Sequence, residues 1–241
     1  MGAGPNFITV QGPGHFKTDK IIRPEIAHIV AYQHKQEKNG EVLETPEKIY
    51  MKFEKPWKIF MGWLNTRKKG LQVVYERGKN DGKLAIHQPG LFLGLAPVVF
   101  LDQNSPWVRE GSASYDIEDA GIGTFLFDLI RSVLKASEQK NLVVTWKSDD
   151  TVLVTFLNSK ENSSYFAYKV STTFDPNTHL PIAMKLFDWD EKLMGEYAYE
   201  NLEVNVGMNE EFRKQINRHL LKVYDRHEDS LTAKSQNFSA R

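Results

Sequence analysis

The chain has 241 residues, with 31 basic and 31 acidic side chains and therefore a formal net charge of zero. A balanced charge provides no field of one sign, which argues against nucleic acid as a partner. The absence of cysteine excludes disulfides, thiolate metal sites and a cysteine nucleophile. The length suits one mainly β domain, since such domains commonly run to about 200–250 residues.

The first part of the chain, residues 1–25, predicts an irregular segment, because glycines and prolines between Gly12 and Pro24 would interrupt a helix. This segment also lacks the basic start and the apolar core of a secretory signal. From Ile26 onward, apolar and polar side chains alternate, which indicates β-strands with one buried and one wet face.

The clearest alternation covers residues 48–54. Its predicted buried face carries Ile49, Met51 and Phe53, and its predicted wet face carries Lys48, Tyr50, Lys52 and Glu54. The two strands that follow place seven large apolar side chains on one face: Trp57, Ile59, Met61, Trp63, Leu71, Val73 and Tyr75. Ordinary core packing explains each of these side chains taken alone. Together they also form a surface suited to an apolar ligand, and both interpretations stay open.

A tight hairpin turn is predicted at Asn80-Asp81-Gly82, where positive φ costs little. A short strand from Lys83 to Gln88 follows. The next stretch, GLFLGLAPVVFL from Gly90 to Leu101, has twelve residues without a charge or a side-chain amide. It is too short to cross a membrane, which takes about 20 apolar residues. It is either an ordinary buried segment or an apolar flap over a cavity. We favour the flap, and its ligand-facing residues are then Phe92, Leu93 and Leu95.

A helix is predicted from Asp116, which can cap it, to Ala136. Its apolar residues recur at spacings of three and four and form one stripe, which needs a surface to bury against. The stripe consists of Ile122, Phe125, Leu126, Leu129, Ile130, Val133 and Leu134.

The second half of the chain returns to period two, from LVVTWKS and TVLVTFLN to LMGEYAYENLEVNV, with short polar turns between the runs. The whole chain therefore predicts about ten or eleven strands in an antiparallel meander. A second helix is predicted from Asn209 to Tyr224, and the polar tail 225–241 is predicted to be disordered.

Catalytic and metal-binding patterns are scarce. The seven histidines include no HExxH pair, and GxSxG is missing. Asp188 and Asp190 flank a predicted turn, where aspartates usually bond the local backbone. The pattern predicts no enzyme, no cofactor and no metal.

A basic loop tip is formed by Arg67, Lys68 and Lys69 between two apolar strands. A solvated loop is the ordinary interpretation, and contact with a lipid phosphate is the more specific one. The sequence leaves both open.

Several short motifs follow one another in a fixed order. They are KQE, IYMKF, KP, KKG ahead of a strand, VVYERGKNDGKL, the Pro-Gly apolar loop FLGL, an LDxNxP segment and the helix start EDAGIG. The later stretch FDPNTHLPIAMKLFDWDEKLMGEYAYENLEVNVG continues the pattern. In these segments the chain resembles a bacterial domain-of-unknown-function family that is related to the lipoprotein carrier LolA.

The resemblance implies a mainly β (α+β) fold, a half-open antiparallel β-barrel of about eleven strands covered by helices and an apolar loop. It places this fold in one domain over residues 26–224. It also implies a non-enzymatic periplasmic binding or carrier protein for a lipid or an acylated lipoprotein, with transient membrane contact. The alternative is a periplasmic sensor or protein-interaction module with the same fold.

Under the carrier interpretation, an apolar cavity and its flap hold the ligand, and the basic loop contacts its headgroup. The cavity and flap residues are Trp57, Ile59, Met61, Trp63, Leu71, Val73, Tyr75, Phe92, Leu93, Leu95, Phe125, Leu126 and Leu129, and the headgroup residues are Arg67, Lys68 and Lys69.

Overall fold

The computed structural model describes residues 10–11, 26–34, 47–54, 57–90, 97–109, 116–158, 164–204 and 210–225. The strands in these ranges are β1 (Val10–Gln11), β2 (Ile26–His34), β3 (Glu47–Glu54), β4 (Lys58–Trp63), β5 (Gln72–Glu76), β6 (Leu84–His87), β7 (Val99–Leu101), β8 (Leu142–Ser148), β9 (Thr151–Phe156), β10 (Lys169–Phe174), β11 (Pro181–Phe187) and β12 (Leu193–Val204). The helices are α1 (Pro106–Arg109), α2 (Ile122–Glu138), α3 (Glu210–Gln215) and α4 (Arg218–Asp225).

The chain divides into two compact units, each built on its own antiparallel strands. The β3–β7 unit contains strands β3 to β7 with α1, α3 and α4, and the β8–β12 unit contains strands β8 to β12 with α2. The prediction of a mainly β, antiparallel fold is thereby confirmed. The two five-stranded sheets are not closed, and a barrel of about eleven strands stays a prediction.

Both ends of the chain lie mostly beyond the described residues. Within the segment 1–25, predicted to be irregular, β1 pairs with β8 in parallel. The other residues of that segment, and the predicted tail from residue 226, lie outside the described ranges. The single domain over 26–224 also stays a prediction.

The sheet of the β3–β7 unit has two differently used faces, because paired residues of antiparallel strands share a face. One face carries Ile49 paired with Trp63, and beside them Met51, Met61 and Val73 in register. We call it the Trp63 face. The opposite face is here called the helix-covered face. It carries Tyr50, Lys52, Glu54, Lys58, Phe60, Gly62, Gln72, Val74 and Ala85.

The helix-covered face corrects the sequence interpretation. Tyr50 and Lys52 were expected on a wet face, yet both are buried. The reason is that α3 and α4 place Phe212, Leu220 and Tyr224 over this face, where these three side chains are completely buried. An alternating strand pattern therefore signals two faces here without telling which one meets water.

The helix predicted over 209–224 is two helices, α3 and α4. The side chain of Gln72 bonds to the backbone at the break between them. Its Nε2 donates to the carbonyl of Gln215, and its Oε1 accepts from the N–H of Asn217, both at 2.6 Å. These two bonds satisfy backbone groups that a continuous helix would use internally.

Two further predictions lie in this unit. The turn after β5 is confirmed, since Asn80, Asp81 and Gly82 all have positive φ, at 51°, 55° and 73°. The flap prediction is wrong at its end, because Val99–Leu101 is a strand paired with β6. Residues 91–96 of the flap lie outside the described ranges.

In the β8–β12 unit, α2 begins six residues after the predicted cap. A short 3₁₀ turn covers Ile117–Asp119, and α2 begins at Ile122, after Gly121 at φ 112°. A side chain other than glycine rarely adopts that φ, so the helix start is set by Gly121 rather than by Asp116.

The apolar stripe of α2 is wider than the surface that it covers. Leu129 and Ala136 are buried in the core of the β8–β12 unit, and Val133 packs against that core. Ile130 and Leu134 were expected in the same buried stripe but are exposed. Each follows a core-facing residue by one position, which turns its side chain about 100° around the helix.

Candidate functional site

A pocket of about 200 Å³ opens on the helix-covered face of the β3–β7 unit. Tyr50, Phe60 and Gly62 contribute the sheet side of this space, which we call the Gly62 pocket. Gly62 pairs with Tyr50 on one side and with Gln72 on the other. A Cβ atom at Gly62 would lie 3.3 Å from the Phe60 ring, so the missing side chain keeps this part of the pocket open.

The rim of the Gly62 pocket is the loop between β4 and β5. Trp63, Leu64 and Lys69 line this rim. The backbone N–H of Trp63 donates to the carbonyl of Leu71 at 2.9 Å. Gly70, at φ 86°, also donates to the carbonyl of Trp63 at 2.9 Å. The loop is therefore fixed at its base, beside the pocket.

The basic tip of this loop is placed as the sequence suggested, between two strands. Arg67 and Lys69 are exposed, and Lys69 lines the pocket rim. The Nζ atom of Lys68 lies 5.7 Å from the centroid of the Trp63 ring. The apolar pocket thus has cations at its mouth.

A hydrogen-bond chain runs from the helix break to Pro97, in the described part of the predicted flap. Asn217 Oδ1 accepts from the N–H of His219 at 2.9 Å, so its Nδ2 faces His87 Nε2, at 3.2 Å. His87 Nδ1 lies 2.7 Å from the carbonyl of Pro97, which can only accept. His87 therefore carries its proton on Nδ1, and it links α4 to Pro97.

A cluster of charges is buried farther along the helix-covered face. Lys52 Nζ lies 3.0 Å from Glu54 Oε1, and Lys58 Nζ lies 3.8 Å from Glu54 Oε2. The Tyr224 hydroxyl donates to Glu54 Oε1. The ammonium of Lys58 stands 3.8 Å from the centroid of the Tyr224 ring, and that of Lys52 stands 4.4 Å from the Phe212 ring.

The charge of Glu54 is stabilised by this cluster. Burial alone would raise its pKa, but the hydrogen bonds from Tyr224 and Lys52 and the charges of Lys58 and Lys52 outweigh burial and hold the pKa below its ordinary value. These groups are covered by aromatic rings of α3 and α4, so the cluster fixes the helices to the sheet.

The predicted strand residues share the β3–β7 unit. Ile59, Val73 and Tyr75 are buried, and Trp57, Met61, Trp63 and Leu71 are half-buried. Trp63 and Leu71 pack against the core that contains Val73 and Tyr75. Of the predicted apolar and basic residues, Trp63 and Lys69 line the Gly62 pocket.

The predicted helix residues belong to the β8–β12 unit. Leu129 is buried, Phe125 and Leu126 are half-buried, and Phe125 lies 6.3 Å from the Phe166 ring within the same core. Phe92, Leu93 and Leu95 lie outside the described residues. The structure therefore groups the strand residues with one another and the helix residues with one another.

Sequence reasoning missed the pocket residues Tyr50, Phe60, Gly62 and Gln72. One signal was available, because Gly62 interrupts a strand of bulky side chains. A glycine inside a strand often marks a place where another group approaches closely.

Other chemical candidates have structural roles. Asp188 Oδ1 accepts from the backbone N–H groups of Asp190 and Lys192, both at 2.9 Å, which confirms the predicted turn. Within the described ranges, no group of three or more histidine or acidic side chains could hold a metal ion. No helix among those residues is long and apolar enough to span a membrane.

Comparison with known proteins gives one family match and several solved structures of low similarity. A family model described as a protein of unknown function, DUF1571, matches residues 30–219. No curated protein matches the chain.

The solved structures include a DUF1329 family protein from Desulfovibrio piger, at 12% identity and a TM-score of 0.37, covering 79% of this chain and 90% of that one. A LolA superfamily protein from Nitrosomonas europaea is similar at 7% identity and a TM-score of 0.35, with coverage of 80% and 90%. The MucA/MucB complex of Pseudomonas aeruginosa is similar at 15% identity and a TM-score of 0.41, with coverage of 81% of this chain and 56% of that chain.

Proposed function

The chain belongs to the DUF1571 family of proteins of unknown function, and we propose that it is a non-enzymatic periplasmic protein that binds or carries a lipid or an acylated lipoprotein. The Gly62 pocket carries this proposal, because it combines apolar walls with a basic rim. The periplasmic location rests on the family resemblance of the sequence.

The size of the pocket defines what it can hold. Its volume of about 200 Å³ is below the range of about 300–1,000 Å³ that is usual for sites of whole small molecules. A dry cavity of about 150 Å³ holds a benzene ring. The Gly62 pocket therefore suits the end of an acyl chain, and four buried methylenes would contribute about 3 kcal/mol.

The rest of the ligand needs further apolar surface. We propose that the flap residues Phe92, Leu93 and Leu95, with the half-buried Trp63 at the rim, cover the chain outside the pocket. An acyl group bound in this way leaves its polar end at the loop of Arg67 and Lys69. A phosphate or carboxylate at that position would pair with these cations.

The titratable groups support binding rather than catalysis. Lys52, Glu54 and Lys58 bond to one another beneath Phe212 and Tyr224. A catalytic acid or base must reach the reacting atoms within hydrogen-bond distance, and these aromatic rings stand in that path.

The interaction-module alternative relied on the helix from Asn209 to Tyr224 as a surface for a partner. In the structure, the apolar side chains of α3 and α4 pack into a core cluster of their own unit, with Phe212, Leu220 and Tyr224 fully buried. This use of their apolar side chains favours the ligand-binding proposal.

Binding of a fluorescent fatty acid in solution tests the proposal. Gly62→Leu places a side chain in the pocket, and we expect its affinity to fall by about tenfold or more, since 1.4 kcal/mol is a factor of ten. The matched control is Gly123→Leu on α2, because a Cβ there meets nothing within 4 Å. Unchanged affinity in folded Gly62→Leu would contradict the pocket assignment.

A second variant changes an exposed residue, so its effect on binding does not arise from a loss of folding. Lys69→Glu changes an exposed rim residue, so we expect it to weaken binding of a fatty acid but not of the matching fatty alcohol. Equal effects on the acid and the alcohol would contradict a basic rim that recognises the headgroup.

A further inference from the structure

Helix α2 presents large apolar side chains to solvent. Phe127 is 65% exposed, Leu134 is 61% exposed and Ile130 is 46% exposed. They occupy positions i, i+3 and i+7, which lie on one side of a helix. We call these three residues the α2 patch.

Among the described residues, the core of the β8–β12 unit is built on the other side of α2. On the opposite side of α2, Leu129 and Ala136 are buried in the core, with Phe125 and Val133 packed against it. The helix is thus anchored in the core through one side, and the patch lies on the other side.

We propose that α2 docks on a phospholipid surface, with the α2 patch entering the boundary between headgroups and acyl chains. A helix that lies in this boundary combines an apolar side with basic residues beside it. This proposal goes beyond the binding function above and does not depend on the Gly62 pocket.

The charges around the patch suit lipid phosphates. Arg131 and Lys135 are exposed and follow Phe127 by one and two helical turns, so they flank the patch. Lys135 Nζ also bonds to the hydroxyl of Ser164 at 2.6 Å, which places its charge at the edge of the exposed side. Glu138 is the acidic residue in the same exposed sector, at the carboxyl end of α2.

The balance of these charges sets the expected lipid dependence. The chain has a net charge of zero, so it has no long-range attraction to an anionic membrane. Apolar contact by the α2 patch must therefore carry most of the binding. Arg131 and Lys135 then add a preference for anionic headgroups.

A second copy of the chain suits this surface less well. Three partly exposed side chains offer a few hundred Å² at most, since even a whole aromatic side chain buries about 150–250 Å². A stable dimer buries about 800 Å² on each partner. A lipid surface needs no such fixed complementary area, because lipids rearrange around the inserted side chains.

The experiment is co-sedimentation of the full chain with vesicles of phosphatidylcholine mixed with phosphatidylglycerol. We expect the wild type to bind, and Phe127→Ser to lower the partition coefficient by about tenfold. Phe100→Ser is the matched control, because Phe100 is also an exposed phenylalanine, at 43%, but lies on β7. We expect this control to bind as the wild type does.

Charge reversal tests the role of the basic flank. Arg131→Glu should weaken binding to the mixed vesicles by more than about fivefold, since the loss of one cation near an anionic membrane costs about 1 kcal/mol and the new carboxylate adds repulsion. It should change binding to pure phosphatidylcholine less. Circular dichroism and unchanged thermal unfolding would show that each variant is folded.

Three outcomes would overturn the proposal. The first is no vesicle binding by the wild type, and the second is equal loss of binding by Phe127→Ser and Phe100→Ser. The third is a concentration-dependent dimer that Phe127→Ser abolishes, which would assign the patch to a second copy. Because α2 does not line the Gly62 pocket, the effect of Gly62→Leu on fatty-acid binding tests the proposed function separately from this proposal.

Discussion

The two units of this protein use the same architecture with different interiors. The β8–β12 unit places α2 on a five-stranded antiparallel sheet, and the β3–β7 unit places α3 and α4 on another. The β8–β12 unit fills the space between its helix and its sheet with apolar side chains, such as Phe156 stacked on Tyr165 at 4.6 Å. The β3–β7 unit instead encloses Lys52, Glu54 and Lys58 under its helices, and it keeps a pocket at Gly62.

The difference shows how a helix can be positioned by charge as well as by packing. Apolar contacts alone tolerate changes of register, because they have no direction. The Tyr224 hydroxyl and the Glu54 carboxylate must meet in one geometry, so they fix where α4 lies on the sheet. A buried charge left without its partner is strongly destabilising, which makes the β3–β7 unit the more sensitive of the two to single polar substitutions.

The largest effect is expected for Glu54→Gln. This change leaves the buried ammonium of Lys52 without its carboxylate, and breaking a buried ion pair in this way costs about 3–5 kcal/mol of unfolding free energy. Chemical denaturation followed by circular dichroism measures the loss at pH 7. A cost below about 1 kcal/mol would mean that the buried cluster does not fix the helices.

The same variant gives a pH signature. Because the pKa of folded Glu54 is lowered from 4.5, its contribution to stability is present above that value and is lost as pH falls through the folded pKa. The stability difference between wild type and Glu54→Gln should therefore narrow below pH 4.5. A difference that stays constant from pH 7 to pH 3 would contradict a charge-based role.

A smaller effect is expected for Tyr224→Phe. It keeps the ring beside Lys58 and removes only the hydroxyl that donates to Glu54. A hydrogen bond to a charged group contributes about 1.5–3 kcal/mol. The matched variant in the β8–β12 unit is Tyr165→Phe, which removes a neutral bond to Gln139 of 3.0 Å and should cost about 1 kcal/mol. Equal costs, measured by chemical denaturation, would remove the contrast between the units.

The sequence predicts the strands well because alternation is a local property. The strand expected from Lys83 to Gln88 is found at Leu84–His87, and the turn at Asn80 has the expected positive φ. What covers each face is not local. Tyr224 meets Glu54 across 170 residues of chain, and no period in the sequence records that contact.

The candidate site was predicted only in part, because it also depends on contacts between distant parts of the chain. Because Trp57 and Ile59 are bulky, the sequence predicts a ligand surface on the Trp63 face. The Gly62 pocket lies on the helix-covered face. The pocket is open because Gly62 has no side chain. A pattern of hydrophobic residues does not show where a side chain is missing. In α2, the spacing predicted an apolar stripe, but how much of it the sheet covers depends on packing, which leaves Leu134 exposed.

The smallest effect is expected for Glu191→Gln in the β8–β12 unit, and it isolates burial as the cause of the contrast. Lys169 Nζ lies 2.7 Å from Glu191 Oε2, closer than either lysine lies to Glu54, yet the Glu191 side chain is 62% exposed. Water screens an exposed pair and solvates the remaining lysine, so the change should cost less than about 1 kcal/mol. High salt should reduce even that value. If denaturation instead gives Glu191→Gln the same cost as Glu54→Gln, distance rather than burial governs these pairs, and the β3–β7 unit loses its distinction.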